Sequence, residues 1–416
     1  MSNREIYVSI SLGEENHLVG RLWCHYRKGR ESASFEYDQS WLENKERFAL
    51  EPALALTAGS FHTDQRIFGS LGDSAPDRWG RVLMRRAESQ RARAVGETPR
   101  TLSEADFLLG VSDEARQGAL RFSNDPDGPF LALQGDRPIP PLVDLPRLLS
   151  ATERYLDEEE NADDLRLLLV PGSSLGGARP KASIRDNDGQ LAVAKFPYKH
   201  DENNLVVWEA VAFALAEKAA LSIPAWRLLD ISGSRVLLTR RFDRIQKTRI
   251  PFLSAMSMLQ ARDNDPRSYL EIADALRQYG AEPTADLAQL WRRIVFNILI
   301  SNTDDHLRNH GFVYEREKGW RLSPAYDMNP TPVEIRPRIL TTNIDLDSGT
   351  ASLDLALSVI QEFRLSLDDG KAIIKEVASA VSQWQELAQE NGLSRREIER
   401  MASAFQHGDA NFAANL

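Results

Sequence analysis

Three oxygen-bearing side chains in the C-terminal half of the chain have the types and the spacing that phosphoryl transfer requires. Asp304 lies in the run Asn302-Thr-Asp-Asp-His-Leu-Arg-Asn309, and Asp327 ends the later run Ser323-Pro-Ala-Tyr-Asp327. The reaction needs a carboxylate that orients the attacking hydroxyl, together with oxygen ligands that hold Mg²⁺ against the phosphates. We therefore predict that Asp304 is the catalytic carboxylate and that Asn309 and Asp327 bind Mg²⁺. The alternative is that Asp and Asn gather here because their side chains stabilise turns.

A loop rich in glycine and serine, at 171–181, is the second candidate for chemistry. It reads Pro-Gly-Ser-Ser-Leu-Gly-Gly-Ala-Arg-Pro-Lys, and glycines let a backbone approach phosphate groups closely. The loop matches neither the Walker pattern nor Gly-x-Gly-x-x-Gly, so an ordinary surface loop remains an alternative. If the loop binds a nucleotide, we expect Gly176, Gly177 and Lys181 to contact it.

Lys195 lies in the short apolar run Ala192-Val-Ala-Lys-Phe, which predicts a strand that presents the ammonium group on one face of a sheet. In kinases such a lysine neutralises the α- and β-phosphates of ATP and pairs with a helix glutamate. Glu209, on the next predicted helix, is the candidate partner, although an ordinary exposed lysine would give the same pattern. The loop, the lysine strand, the glutamate helix and the metal-binding loop follow one another in kinase order. Together they predict an enzyme that binds ATP and Mg²⁺.

The composition is that of a globular protein. The chain has 416 residues, a formal net charge of −10 and one cysteine, Cys24, which disfavour a nucleic-acid surface over the whole molecule and exclude an internal disulfide. No apolar run reaches the roughly 18 residues that span a bilayer, and the first residues do not resemble a secretory leader. We therefore expect a cytoplasmic protein without a membrane partner. Seven arginines at 78–100 predict a solvated helix face, with a contact to nucleic acid or to an acidic partner as the alternative.

A sheet-bearing part followed by a helical part has to position these residues. Alternating apolar residues predict short strands over roughly the first 60 residues, and the proline-rich stretch at 136–142 is typical of an extended linker. A hairpin around Asn187-Asp-Gly-Gln190 should carry Lys195. Apolar spacing predicts helices at 205–220, 268–279, 284–301, 352–364, 369–390 and 394–406.

The order of these elements predicts an α+β fold in three parts. The first, at 1–135, is an N-terminal subdomain, and the second, at 136–245, is the nucleotide-binding part of an N-terminal lobe. The third, at 246–416, is a helical C-terminal lobe that carries the catalytic and metal-binding loops.

Four segments resemble the HipA family of bacterial toxin kinases, and the resemblance covers most of the chain. Asn302-Thr-Asp-Asp-His-Leu-Arg-Asn309 is similar to the catalytic signature of that family, and Tyr326-Asp327 is similar to its metal-binding signature. Arg241-Phe-Asp-Arg244 resembles its lobe junction, and Gly118-Ala-Leu-Arg-Phe122 resembles its N-terminal subdomain. The resemblance implies a two-lobed fold like that of protein kinases, with an added β-rich N-terminal subdomain. It also implies an ATP-dependent serine/threonine kinase that acts as the toxin of a toxin–antitoxin pair.

The family resemblance further implies partners and a regulatory site. The partners would be a cognate antitoxin that is a separate DNA-binding protein, and a protein substrate from translation such as an aminoacyl-tRNA synthetase. Contact with DNA would come mainly through the antitoxin. In the family a serine ahead of the loop glycines is autophosphorylated, and the matching position is Ser174, with Ser173 beside it. A phosphoserine there would be repelled by the phosphates of ATP and would switch the kinase off.

The segment at the predicted lobe junction implies that Phe242 lies near the nucleotide base. Arg240 stands where some members of the family carry an acidic residue, so recognition of the base by that side chain would differ. Two other functions stay open. A small-molecule phosphotransferase would use the same metal ligands, whereas a non-catalytic co-repressor scaffold would have no need of Lys195, Asp304, Asn309 and Asp327.

Overall fold

The structure is a computed structural model that describes residues 2–27, 29–131, 138–172, 177, 179–198, 201 and 203–416. The chain forms two compact units. Unit 1 comprises Met1–His200 and Leu229–Leu253, and unit 2 comprises Asp201–Leu228 and Ser254–Leu416.

Unit 1 begins with an antiparallel sheet of five strands, in the order β4-β3-β2-β1-β5. On β1, the alternating residues Ile6, Val8 and Ile10 are buried, which confirms the strands predicted from their spacing. The strands are β1 (Ser2–Leu12), β2 (Glu15–Arg27), β3 (Arg30–Tyr37), β4 (Ser60–Thr63) and β5 (Leu120–Ser123).

Six helices lie between β3 and the second sheet of unit 1. Ser103 and Asp106 form a capping box at the start of one of them, and their spacing is typical of such a cap. The proline-rich stretch is not a detached linker in its described part, because Arg185 donates its backbone N–H to the carbonyl of Pro140. The helices are α1 (Gln39–Glu43), α2 (Gly69–Gly72), α3 (Arg78–Ala94), α4 (Glu104–Leu109), α5 (Leu145–Leu156) and α6 (Ala162–Gly172), with a 3₁₀ turn at Leu142–Asp144.

The second sheet has four strands in the order β6-β7-β9-β8. Its apolar face is buried against α3, α5 and α6, where Leu83, Leu148 and Leu168 pack with Ala194 and Val236. This packing fixes the strand that ends in Lys195. The strands are β6 (Lys181–Arg185), β7 (Leu191–Lys195), β8 (Trp226–Ile231) and β9 (Ser234–Arg240), followed by the short β10 (Arg244–Ile245), β11 (Thr248–Arg249) and β12 (Phe252–Ser254).

Unit 2 is mainly helical. Its first helix is apolar on all sides and is therefore buried among the others. The helices are α7 (Leu205–Lys218), α8 (Ala255–Met258), α9 (Tyr269–Tyr279), α10 (Pro283–Leu299), α11 (Leu353–Ser358), α12 (Leu367–Val381), α13 (Trp384–Glu390), α14 (Arg395–Phe405) and α15 (Gly408–Ala414). A hairpin of β13 (Gly311–Glu315) and β14 (Gly319–Leu322) follows α10, and 3₁₀ turns lie at Leu307–Asn309 and Ile360–Phe363.

The prediction of one helix over 369–390 was wrong, because α12 ends at Val381 and α13 starts anew at Trp384. The indole of Trp384 stacks on Phe405, with 4.6 Å between ring centroids and 6° between planes. It also contacts Trp208 of α7. These contacts are formed by distant segments, so the helical period of the local sequence gave no sign of the break.

Two arginines of α3 bind carboxylates of unit 1. Arg81 donates two hydrogen bonds to Glu104, at 2.7 and 2.6 Å, and Arg91 donates two to Glu88, both at 2.9 Å. These ion pairs fit the predicted solvated helix face. Within the described residues, no helix is both long and apolar enough to cross a membrane.

Candidate active site

The loop between α10 and β13 holds two neighbouring aspartates in opposite environments. The side chain of Asp304 is 69% exposed, whereas that of Asp305 is 5% exposed. Asp304 accepts a hydrogen bond from Nη1 of Arg336, at 3.0 Å. Of the two carboxylates, only that of Asp304 is accessible to a group arriving from solvent.

Asp305 is held by three donors that converge on one oxygen. Its Oδ2 accepts hydrogen bonds from the Tyr269 hydroxyl at 2.5 Å, the Asn297 amide at 2.8 Å and His310 Nε2 at 2.7 Å. Burial raises the pKa of the Asp305 carboxyl, but His310 and the Tyr269 hydroxyl outweigh burial and hold that pKa below its ordinary value. Burial and Asp305 together raise the pKa of Tyr269 well above its ordinary value, so its hydroxyl stays a donor.

Asn309 closes the same loop. It ends the 3₁₀ turn Leu307–Asn309, and its backbone N–H donates to the carbonyl of His306 at 2.8 Å. Its side-chain amide donates to the backbone carbonyl of Asp304, at 3.2 Å. This bond turns the amide nitrogen toward Asp304, and no donor among the described residues bonds to the amide oxygen.

Asp327 lies on a second loop that is bonded to the first. The Tyr326 hydroxyl donates to the carbonyl of Arg308, at 2.8 Å, and Thr331 donates its N–H to the carbonyl of Ser301, at 3.2 Å. Asp327 and Ser301 both have left-handed backbones, with φ of 59° and 52°. Such conformations are costly for residues other than glycine and are common at functional sites.

The donor set of these two loops suits Mg²⁺ better than zinc. An amide oxygen from Asn309 and a carboxylate from Asp327 are hard ligands, and Mg²⁺ is commonly bound by one or two carboxylates together with substrate phosphates. No group of three or more His, Cys, Asp or Glu residues that could hold a metal occurs among the residues whose structure is described. The amide oxygen of Asn309 and the carboxylate of Asp327 would fit a site that substrate phosphates complete.

Gly177, Lys181 and Lys195 lie together in unit 1. Gly177 has φ of +85°, and a Cβ at this position would lie 2.7 Å from Nζ of Lys181. Lys181 and Lys195 are direct partners across β6 and β7, so their side chains leave the sheet on the same face. Two ammonium groups on one face suit an anionic ligand. Gly176, Ser173 and Ser174 lie outside the described residues.

Glu209 is buried in α7, 4% exposed. It belongs to unit 2, whereas Lys195 belongs to unit 1. The predicted ion pair between them stays a prediction.

The predicted lobe-junction segment forms a buried ionic cluster in unit 1. Asp243 accepts hydrogen bonds from Nε of Arg241 and Nη1 of Arg244, both at 2.8 Å, and from the N–H of Gly118, also at 2.8 Å. Phe242 contacts Phe252, with 6.1 Å between ring centroids. A contact of Phe242 with a nucleotide base stays a prediction.

Sequence reasoning missed Arg336 and the partners of Asp305. Arg336 lies 32 residues beyond Asp304, in a stretch without a recognisable motif. The Asp-Asp pair was visible in the sequence, but nothing in it indicated that the second carboxylate would be buried.

The family described as the HipA-like C-terminal domain matches residues 173–407, more than half of the chain. The chain belongs to the HipA family. The HipA N-terminal domain family matches residues 12–122 in addition. Two relatives of this chain in Sinorhizobium fredii NGR234 carry the name "Putative kinase". "Putative kinase Y4mE" is 26% identical over 351 residues, 75% of this chain and 76% of that protein. "Putative kinase Y4dM" is 30% identical over 139 residues, 30% of this chain and 33% of that protein.

A solved HipA structure has the same fold. It is the Shewanella oneidensis MR-1 complex of HipA, HipB and operator DNA, from a toxin–antitoxin system. The TM-score is 0.65 at 16% sequence identity, over 95% of this chain and 94% of that one. This likeness confirms the predicted α+β fold of the HipA type.

Proposed function

We propose that this HipA protein is an ATP-dependent kinase that phosphorylates serine or threonine on a protein. The observation that carries the proposal is the pair of bonded loops in unit 2. They present one exposed carboxylate, Asp304, beside an amide and a carboxylate, Asn309 and Asp327, of the kind that bind Mg²⁺.

Each residue has a role that follows from its position. Asp304 accepts a hydrogen bond from the substrate hydroxyl, orients it for in-line attack and receives its proton. The new bond from the hydroxyl oxygen to the γ-phosphorus forms as the bond to the bridging oxygen breaks and ADP leaves. Asn309 and Asp327 would hold Mg²⁺, which neutralises negative charge on the phosphates when bound. In unit 1, Lys195 and Lys181 balance phosphate charge.

We further propose that the protein is the toxin of a toxin–antitoxin pair. The Shewanella oneidensis HipA is described in complex with HipB and operator DNA, so the partner here would be a separate antitoxin that binds DNA. The substrate would be a component of translation such as an aminoacyl-tRNA synthetase. Autophosphorylation of Ser174 or Ser173 would switch the kinase off, because a phosphoserine carries nearly two negative charges and would repel ATP.

The proposal is tested by the mass of the purified protein after incubation with ATP and Mg²⁺. Asp304→Asn removes the group that receives the proton, so transfer should fall by about 10²-fold or more. Binding of a non-hydrolysable ATP analogue should be unchanged. Asp347→Asn, which neutralises an exposed carboxylate in the same unit, is the matched control.

Peptide mapping then locates the added phosphate. A single phosphate on Ser174 or Ser173, absent from Asp304→Asn, supports an active kinase with self-inhibition. Transfer by Asp304→Asn at the wild-type rate would contradict the role of Asp304. A wild-type protein that binds the analogue but transfers no phosphate, either to itself or to an aminoacyl-tRNA synthetase supplied as substrate, would contradict the kinase proposal.

A further inference from the structure

Asp305 is a fully buried carboxylate that the proposed reaction does not use. The donors on its Oδ2 come from three places in unit 2: Tyr269 begins α9, Asn297 lies near the end of α10, and His310 directly precedes β13. A second bond joins this network to the start of the catalytic loop, because the Asn302 amide donates to Oδ1 of Asn297 at 3.0 Å. One carboxylate thus joins two helices to the loop.

The network holds both ends of the segment between the proposed catalytic residue and the proposed metal ligand. Asp305 directly follows Asp304, and its partner His310 directly follows Asn309. The backbone of Asp305 is fixed as well, since its carbonyl accepts a hydrogen bond from the Thr342 hydroxyl at 2.7 Å. We propose that Asp305 is a positioning residue that sets the distance between Asp304 and Asn309. The purpose of this positioning rests on the proposed function, whereas the hydrogen bonds of Asp305 do not depend on it.

The charge of Asp305 is part of this role. Hydrogen bonds to an ionised acceptor are roughly twice as strong as those to a neutral one, and here three of them meet on one oxygen. Asp305 also opposes the buried charge of Arg293, whose guanidinium donates to the carbonyl of Ser323 at the start of the Asp327 loop. A neutral residue at 305 would therefore loosen the catalytic loop and leave Arg293 less compensated, which would disturb the second loop too.

The experiment compares Asp305→Asn with Asp286→Asn in the full chain. Asp286 is likewise buried in unit 2, 3% exposed, and accepts two hydrogen bonds from Arg321, at 2.9 and 3.1 Å. Both variants lose a buried carboxylate, so a general loss of stability should appear in both. The first measurement is hydrogen exchange of the amides at 302–311 without any ligand. The others are the rate of ADP release from ATP, and the Mg²⁺ concentration that gives half the maximal rate.

In Asp305→Asn, we expect faster exchange at 302–311 and a rate of ADP release about 10- to 100-fold lower. More Mg²⁺ should be needed for half the maximal rate, while the affinity for a non-hydrolysable ATP analogue at saturating Mg²⁺ should change less than about threefold. Asp286→Asn should leave exchange at 302–311 unchanged, because Asp286 binds Arg321 and Leu322 and not the catalytic loop. Asp286 also opposes the charge of Arg293, so an effect on turnover that arises through Arg293 should appear in both variants. Wild-type exchange and turnover in Asp305→Asn would overturn the proposal.

Tyr269→Phe keeps the ring and removes one hydrogen-bond donor to Asp305. This variant replaces Asp305→Asn in the experiment if Asp305→Asn does not fold. It should give smaller changes in the same direction, and wild-type loop exchange in this variant would likewise overturn the proposal. If the wild-type protein transfers no phosphate, either to itself or to the supplied synthetase, the proposed function fails. The exchange measurement still decides whether Asp305 holds the loop.

Discussion

Glu51 is a buried carboxylate in unit 1 that should make the stability of the protein depend on pH. It is 4% exposed and accepts a hydrogen bond from the backbone N–H of Ser70. Burial raises the pKa of its carboxyl to about 7, and the bond from Ser70 only partly opposes this. In the unfolded chain the same group ionises near its ordinary value of 4.5.

The direction of this pH dependence follows from the number of protons that the folded and the unfolded states bind. Between these two pKa values the folded state keeps a proton that the unfolded state has lost, so rising pH favours unfolding. The contribution of Glu51 to stability is full below the unfolded value and is lost as pH rises through about 7, on the order of 3 kcal/mol at most.

Glu51→Gln stays neutral at every pH and does not suffer this loss. Thermal unfolding measures the midpoint temperature of both proteins at pH 5 and pH 8. The midpoint of the variant, relative to that of wild type, should be higher at pH 8 than at pH 5. An equal difference between the two proteins at both pH values would contradict a raised pKa for Glu51.

At the scale of elements, the N-terminus of α3 anchors the described end of the glycine-rich loop. Asp77 caps the helix by accepting the N–H of Arg78 at 2.8 Å, and its other oxygen accepts the N–H of Gly177 at 2.6 Å. Trp79 donates its backbone N–H to the carbonyl of Gly177 at 3.1 Å, and its indole N–H to that of Lys181 at 3.0 Å. The loop end and the helix start therefore stabilise each other.

Asp77→Ala removes both side-chain acceptors and should lower the free energy of unfolding by about 1–2 kcal/mol. It should also weaken binding of an ATP analogue, because Gly177 would be less well fixed. Asp77→Asn retains one acceptor oxygen and should lose less stability and less affinity for the analogue. Urea unfolding and an analogue titration measure the two effects, and equal stability of Asp77→Ala and wild type would contradict the capping role.

The elements that the sequence could predict are those encoded by local patterns. Alternating apolar residues indicated β1, the Ser103 and Asp106 spacing indicated the cap of α4, and the Asn187-Asp-Gly-Gln190 turn indicated the hairpin of β6 and β7. The catalytic and metal-binding candidates could be chosen because they lie on two short loops with recognisable spacing.

The contacts of Asp305 could not be predicted in this way. Its donors Tyr269 and Asn297 lie 36 and 8 residues away in the sequence, on separate helices. Which of two neighbouring aspartates is buried depends on how those helices pack, and no local pattern specifies that. The same holds for the break before Trp384, whose side chain stacks on a different helix.

At the scale of the molecule, unit 1 joins residues that belong to two different family matches. Gly118 lies in the region matched by the HipA N-terminal domain, and Asp243 lies in the region matched by the C-terminal domain. The cluster around Asp243 bonds these regions to each other. Arg241 and Arg244 donate to Asp243, and Arg244 also donates to the carbonyl of Gly118, at 3.0 Å. The stability of unit 1 should therefore depend on this cluster as a whole.

Asp243→Asn tests that dependence. Burial alone would raise the pKa of the Asp243 carboxyl, but Arg241 and Arg244 outweigh it and hold that pKa well below its ordinary value. A depressed pKa contributes stability above the unfolded value and loses it as pH falls through the folded one, so the contribution is complete at neutral pH. Neutralising the carboxylate leaves two buried guanidinium groups without their partner, and removing one member of a buried pair costs about 3–5 kcal/mol.

The measurement for Asp243→Asn is urea unfolding at neutral pH, with Asp188→Asn as the control. Asp188 pairs with Arg240 in unit 1, but both side chains are nearly half exposed, so water replaces the lost interaction and stability should hardly change. A large loss in Asp243→Asn alone would mean that the two family-matched regions are stabilised through this carboxylate. Equal, small effects in both variants would mean that apolar packing holds unit 1 together without it.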